Sequence, residues 1–452
     1  MKRLARHFFF SSLFLPSFSL WGNPLEEFLR SPHLEKGHIG IALLDCKTGT
    51  MIAEHQSDRY FVPASLTKIP LTFCALETLG PDYRYKTVLG YEGVIEEGVL
   101  KGCLFIKGGG DPTLNADVLD HWKEVLTEKG IATIAGAILV DDTIFETAMA
   151  SPYWNYQDIG NYYGAGASGL TFHENYYSIT FKPGEKLGDP ATVIKTTPPL
   201  KGVHAFNEVT TGEAGTGDQV TVFGSEYFMT QYYRGTVPID VETLTIKAAL
   251  PDPALFCGIQ MAEQIPSTLP VQRVPFPPEK MIELDSHLSP PLKNIIKIIN
   301  TKSHNLYAEH LLKSLGNGQA AKGLTAFNNF LKVRHIDGVF YDAAGVARVN
   351  MITPKAMVAL LYQIKNSKNS SLFIDSLAER NEGTLDFIDS LGEAEIRAKT
   401  GTLCKVFNLS GYLTLANGRE VAFCIMCNNI NHPILSLKED INRLIKKIVN
   451  DL

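Results

Sequence analysis

Ser65-Leu66-Thr67-Lys68 sets a hydroxyl and an amine three residues apart where an apolar helical stretch begins. At that spacing two side chains share a helix face, so the pair can hydrogen-bond directly. A serine hydroxyl is a poor nucleophile near neutrality and needs an adjacent base. A lysine partly desolvated among apolar neighbours loses basicity and can be that base. The start of a helix adds positive potential and free N–H groups for an oxyanion. Read alone, the same residues fit an N-capping serine equally well.

Two further patterns carry compatible chemistry. Ser303-His304-Asn305 lies between the helical segments Asn294 to Asn300 and Leu306 to Leu315. Its hydroxyl can relay a proton and its amide can hold a peptide carbonyl. Lys399-Thr400-Gly401-Thr402 follows Ile396 to Ala398, near a strand that begins at about Leu409. There a glycine lets substrate approach a strand edge, while the lysine and threonines bind a carboxylate. Each pattern has a second copy, Ser367-Lys368-Asn369 in a polar loop and Lys47-Thr48-Gly49-Thr50 in a hairpin turn. Order separates them: helix serine and lysine first, Ser-x-Asn second, Lys-Thr-Gly last.

The surrounding elements must bring these three stretches together. His38 to Leu44 and Met51 to Glu54 read as a hairpin, and Ser65 to Leu79 as a buried helix that Gly80-Pro81 stops. From about Lys86 to Val274 the texture becomes short β-rich segments broken by Gly and Pro, with a helix at Val118 to Glu128 and another opened by Asp252-Pro253. Helical spacing returns at Leu292 to Asn300, Leu306 to Leu315, Ala320 to Lys332 and Pro354 to Ile364. Leu409 to Leu415 and Val421 to Ile425 then flank a two-residue Asn417-Gly418 turn. Ile441, Leu444, Ile445 and Ile448 close the chain with an apolar helical stripe. Packing of that stripe on the sheet is the reading taken, with peripheral membrane contact as the alternative.

With these residues in hand the chain resembles the class C penicillin-binding proteins, the D-alanyl-D-alanine carboxypeptidase/endopeptidase family of serine peptidases. The 238-position separation of Ser65 and Ser303 suits that family's inserted domains. Gly108-Gly109-Gly110-Asp111-Pro112-Thr113-Leu114, Tyr341-Asp342-Ala343-Ala344-Gly345-Val346 with Asn350, and Glu382-Gly383-Thr384-Leu385 are similar to family passages. The resemblance implies an α/β fold, a transpeptidase/β-lactamase-like sandwich of a five-stranded antiparallel sheet with helices. Residues 24–86 and 275–452 would form this discontinuous catalytic domain, and residues 87–274 one or two nested insertions.

It further implies that Ser65 attacks the D-Ala-D-Ala bond of peptidoglycan stem peptides, that water hydrolyses the acyl-enzyme, and that β-lactams acylate the same serine. Lys68 would be the base, Ser303 and Asn305 the second motif, and Lys399, Thr400, Gly401 and Thr402 the substrate-binding strand. The N–H groups of Ser65 and Thr402 would form an oxyanion hole. Asp158, Tyr163 and Arg348 match positions that contact the cross-linking diamino acid in some relatives. Ala343 in place of a usual glycine, and Cys404 in place of a polar residue, are departures. Two other readings compete: a β-lactamase or esterase of the same fold, and a non-catalytic peptidoglycan-binding scaffold.

Composition narrows the class. At 452 residues, 45% hydrophobic and 20% charged, the chain suits two or three folded units. A net charge of -6 without clustered Lys and Arg argues against a nucleic-acid partner. Lys2, Arg3 and Arg6 precede the uncharged run Phe8 to Leu20, an expected signal peptide over residues 1–22 that would send the protein to the periplasm or cell envelope. Seven cysteines leave at least one thiol unpaired, and Cys424 and Cys427 on one strand would face opposite sides. No metal-binding spacing occurs, so no cofactor or metal is expected.

Overall fold

The computed structural model describes residues 22–274 and 281–452, so the expected signal peptide lies outside the described residues apart from its last position. Both ends of the chain build one antiparallel sheet. Its strand order is Ala378–Glu379, Glu395–Leu403, Val406–Thr414, Glu420–Asn428, His38–Asp45 and Met51–His55. The five expected strands are joined by a sixth of two residues at the edge. The last long hairpin closes through residues 415–419, a longer connection than the expected two-residue turn, with Gly418 at φ 78°.

Strand alternation sorts this sheet's side chains into two cores. Ala42, Leu44, Ala422, Cys424 and Met426 face a helical layer that includes Lys68–Leu79, Leu292–Lys302, Asn305–Leu315 and Pro354–Lys365. Ile41, Leu43, Phe423, Ile425 and Cys427 face the opposite side, against the Gly22–Leu29 and Ile434–Asp451 helices. Cys424 and Cys427 thus lie in different cores, and all seven cysteines are unpaired. The terminal stripe of Leu437, Ile441, Leu444, Ile445 and Ile448 is buried on the sheet, which leaves it unavailable to a membrane. Truncating one such leucine to alanine costs about 2–5 kcal/mol.

The middle of the chain forms a separate core, from Leu89 to Ile265. One mixed sheet pairs Lys86–Glu96 with Val99–Lys107, which continues to Ile138–Asp141 and Gln272–Arg273. Ile282–Leu288 pairs with the other edge of Lys86–Glu96. The inserted sheet therefore reaches past the boundary placed at 274/275, because a returning strand closes it. Two three-stranded sheets, built from Tyr176–Lys182, Thr192–Thr197 and Leu244–Ala249 and from His204–Gly212, Thr221–Phe223 and Thr230–Pro238, share this core. The Gly108-Gly109-Gly110 passage is packing: Cβ atoms at Gly108 and Gly109 would lie 2.2 Å from Gly169 O and 2.0 Å from Lys86 O.

Candidate active site

The stretch that carries Ser65 is a tight turn rather than the helix itself. Ala64–Thr67 forms a 3-10 turn, and the α-helix starts at Lys68. Ala64 adopts a left-handed φ of 50°, strained for a residue with a Cβ. Neighbours hold it there. Asn408 Nδ2 donates to the carbonyls of Val62 at 3.0 Å and Pro63 at 2.9 Å, and Thr67 Oγ1 donates to Ala64 O at 2.8 Å. A Cβ on Gly401 would lie 2.4 Å from Pro63 O, and one on Gly345 would lie 2.0 Å from Ala64 O. Gly401 is thus required by the turn packed on its strand, a different reason from substrate approach.

Ser65 does not act as a cap. Its Oγ lies 2.8 Å from Lys68 Nζ and 3.4 Å from the Ala344 carbonyl, which also accepts from Lys68 Nζ. Lys68 is fully buried, and its Nζ also donates to Asn305 Oδ1 at 2.8 Å. Burial pushes its ammonium down to about 7, against the opposing pull of the Asp342 and Glu309 carboxylates. Near neutrality a substantial fraction of Lys68 is therefore an uncharged amine beside the serine.

The Ala344 carbonyl is placed by two buried carboxylates. Glu309 sits four residues after Asn305 on the same helix face, and its Oε1 accepts the Ala343 N–H at 2.9 Å and the Ala344 N–H at 2.7 Å. Burial raises Glu309 to about 7, with Asp342 adding to the rise. Asp342 accepts from the N–H groups of Gly345, Val346 and Ala347, from the Trp154 indole at 2.7 Å and from Asn350 Nδ2 at 2.6 Å. A carboxylate so fully bonded fixes the loop around it. Ala343, where the resemblance expects glycine, has no left-handed backbone, whereas Gly345, at φ 80°, needs its freedom.

Ser303 ends the Leu292–Lys302 helix at a left-handed φ of 60°, so the chain turns sharply into the next helix. Neither Ser303 nor His304 makes a side-chain cap, and Asn305 is used elsewhere: its Nδ2 donates to Tyr163 O at 2.8 Å. Asn305 thereby ties Lys68 to the inserted segment. His304 Nε2 and Tyr307 Oη reach the Glu174 carboxylate at 3.3 and 3.0 Å, and these partners help hold it down at about 2.

The Glu395–Leu403 strand pairs with the short edge strand only through Ala398 and Arg397, so its edge is unpaired by any described strand from Lys399 onward. Lys399 is fully buried, and its Nζ donates to Thr400 O at 2.9 Å. It lies beneath the cleft rather than on its wall, where direct carboxylate binding was expected. Burial, and then the charge of Lys68, hold its ammonium well below the ordinary lysine range. Thr400 Oγ1 donates to Thr384 Oγ1 at 2.7 Å, from the loop whose Gly383 packs against Thr301 O.

Two cavities meet at Ser65. One, of about 280 Å³, is lined by Tyr162, Tyr176, Lys302, Ser303, Thr384 and Thr400 among others. The other, of about 420 Å³, includes Asp158, Tyr163, Arg348 and Cys404. Ser65, Tyr163, Asn305 and Thr402 border both. Tyr163 Oη donates to Asp158 Oδ1 at 3.3 Å, and Arg348 Nη1 donates to Cys404 O at 3.2 Å. Of the predicted site residues, Ser65, Ser303, Asn305, Thr400, Thr402, Asp158, Tyr163 and Arg348 line these cavities, whereas Lys68, Lys399 and Gly401 are buried and line neither. The structure adds Ala344 O, Glu309 and Thr384: Ala344 and Thr384 fall within passages already noted as family-like, and Glu309 was findable as a buried-face position one turn after Asn305.

The family model described as D-Ala-D-Ala carboxypeptidase 3 (S13) matches residues 22–447. A D-alanyl-D-alanine carboxypeptidase of Actinomadura sp. (strain R39) is 27% identical over 445 residues, covering 90% of this chain and 81% of that protein. Penicillin binding protein 4 from Haemophilus influenzae shares the fold at a TM-score of 0.81 and 20% identity, covering 94% of this chain and 98% of that one. A penicillin G acylated predatory endopeptidase, Bd3459 from Bdellovibrio bacteriovorus, superposes at a TM-score of 0.52 and 18% identity, over 92% and 93% of the two chains.

Proposed function

The chain belongs to the D-Ala-D-Ala carboxypeptidase 3 (S13) family, and we propose that it hydrolyses D-Ala-D-Ala ends and D-Ala cross-links of peptidoglycan stem peptides through an acyl-enzyme on Ser65. The observation that carries this reading is the Ser65–Lys68 pair, 2.8 Å apart, with the lysine held at about 7 by burial. Neutral Lys68 takes the Ser65 proton as Oγ attacks the carbonyl of the penultimate D-alanine. The N–H groups of Ser65 and Thr402 receive the oxyanion. Lys68 returns the proton to the leaving amine, with Ser303 as relay, and the terminal D-alanine departs. Water then attacks the ester, and the Ser65 hydroxyl is regenerated.

Thr400 and Thr402 orient the terminal carboxylate on the open strand edge. Lys399 acts from below: burial and the charge of Lys68 hold its own ammonium well below the ordinary range, and its Nζ steadies the substrate strand by donating to Thr400 O at 2.9 Å. Asp158, Tyr163 and Arg348 contact the diamino acid side chain in the larger cavity. A β-lactam presents its strained amide to the same serine and remains as an acyl group. Work on cell-wall peptides fits a location outside the cytoplasm, in the periplasm or envelope, as does the expected signal peptide. Among the described residues, no helix is long and apolar enough to cross a membrane.

The test is D-alanine release from a pentapeptide ending in D-Ala-D-Ala. Wild-type protein releases it, and Ser65→Ala lowers the rate by on the order of 10³-fold or more. Release by Ser65→Ala at the wild-type rate overturns the assignment.

A further inference from the structure

On the sheet of Thr221–Phe223, Thr230–Pro238 and His204–Gly212, Phe223 pairs with Tyr232, and Tyr232 pairs with Phe206. Residues directly opposite one another share a face, so the three rings form a row across the three strands. The alternate positions Val222, Tyr233 and Val209 are buried, which makes the aromatic row the solvent face. Phe206 is 53% exposed and stacks on Tyr232 with centroids 4.9 Å apart and planes 15° from parallel. Arg234, on the same face, sets its guanidinium 5.5 Å from the Phe223 centroid and 5.1 Å from that of Tyr232. Glu208 anchors it at 2.7 Å.

Tyr156 extends the row: it is 63% exposed, with its ring centroid 5.7 Å from that of Phe223. It opens the short helix Tyr156–Ile159, whose Gln157 and Asp158 line the larger cavity beside Ser65. The row therefore begins at the rim of the active site and runs outward across the inserted sheet. A solvent-facing sheet surface of aromatic rings steadied by a cation is not needed for the core beneath it, and contiguous exposed apolar surface of this kind marks recognition.

We propose that this row binds the glycan strand to which the stem peptide is attached. Flat rings present faces to the C–H surfaces of sugar rings, and Arg234 and Glu208 offer donors and acceptors to their hydroxyls and amides. The identity of the occupant rests on the reading of Ser65 as a stem-peptide hydrolase, since that reading places a polysaccharide at the outer end of the bound peptide. Continuity between the row and the cavity lets one polymer occupy both.

The experiment compares co-sedimentation of Ser65→Ala protein with insoluble peptidoglycan sacculi and with glycan strands stripped of peptide. A second form adds Phe206→Ala and Tyr232→Ala. Loss of one stacking platform is expected to weaken binding to both materials by about tenfold. In a chain with Ser65 intact, the two aromatic substitutions should leave penicillin labelling at the wild-type rate, which also shows that the protein is folded. Undiminished binding by the aromatic variant overturns the proposal. So does failure of the parent to bind peptide-free glycan, which would assign the row to a peptide or protein, or a change from dimer to monomer on substitution, which would assign it to a second copy. Failure of penicillin labelling in otherwise wild-type protein would instead overturn the hydrolase reading, so the two failures are separable.

Discussion

Lys-Thr-Gly-Thr occurs twice, at 47–50 and at 399–402, and the two copies meet opposite fates. In the first, Asp45 Oδ1 accepts the N–H groups of Lys47 and Thr48 at 3.0 and 2.9 Å, Gly49 turns at φ 71°, and Lys47 points into solvent. In the second, the peptide is an extended strand with Lys399 fully buried near Lys68 and Gly401 pressed against Pro63 O. Ser367-Lys368-Asn369 differs from Ser303-His304-Asn305 in the same way. Asn369 bonds Glu77 at 2.6 Å, whereas Asn305 bonds the buried Lys68. The chemistry belongs to what distant segments press against a tetrapeptide, and only weakly to the tetrapeptide itself.

Paired substitutions sharpen that contrast. Lys399→Ala should lower acylation by penicillin on the order of 10²-fold, the scale of losing one preorganised hydrogen-bond donor at the site. Lys47→Ala should leave acylation unchanged, and an equal effect at both positions would break the comparison. Asn305→Ala removes a bond to an ionisable partner and should slow acylation by about 10- to 100-fold. Asn369→Ala should lower stability by about 1 kcal/mol in a denaturant titration without touching the rate.

Glycine gives a smaller pair. Gly401→Ala forces a methyl against Pro63 O, with an expected loss of about 1–3 kcal/mol and slower acylation as the Ser65 turn shifts. Gly49→Ala meets an unfavourable left-handed backbone worth about 1–2 kcal/mol and should leave acylation intact. Calorimetry with a labelling assay separates these outcomes.

The subtlest effect concerns pH. With neutral Lys68 as the proposed base and its ammonium depressed to about 7, acylation should rise as pH increases through about 7 and fall as the amine is protonated below it. Glu309→Gln keeps an oxygen for the Ala343 and Ala344 N–H groups but removes the negative charge that favours protonated Lys68. Its pH–rate curve should move to lower pH with a similar plateau. A lowered plateau at an unmoved midpoint would mean that Glu309 acts only by packing.

Much of this architecture was legible from periodicity. Alternation along Val421 to Cys427 places Cys424 and Cys427 in separate cores, and the terminal stripe is buried where its spacing put it. The motif order likewise selected the copies that converge on one cleft. Three things were hidden for physical reasons. A backbone carbonyl such as Ala344 O leaves no trace in residue type, although it is the shared partner of Ser65 and Lys68. The edge strand Ile282–Leu288 is defined by its partner rather than its own pattern. The aromatic row depends on the register of strands far apart in sequence, Phe206 with Tyr232 above all.

The central claim is that the buried lysine makes one serine, Ser65, reactive. Peptide mapping of the protein after exposure to penicillin tests it most directly. A covalent adduct confined to the peptide that contains Ser65, absent from Ser65→Ala and slowed below pH of about 7, is the predicted result. An adduct on any other residue, or labelling of Ser65→Ala at the wild-type rate, would contradict it.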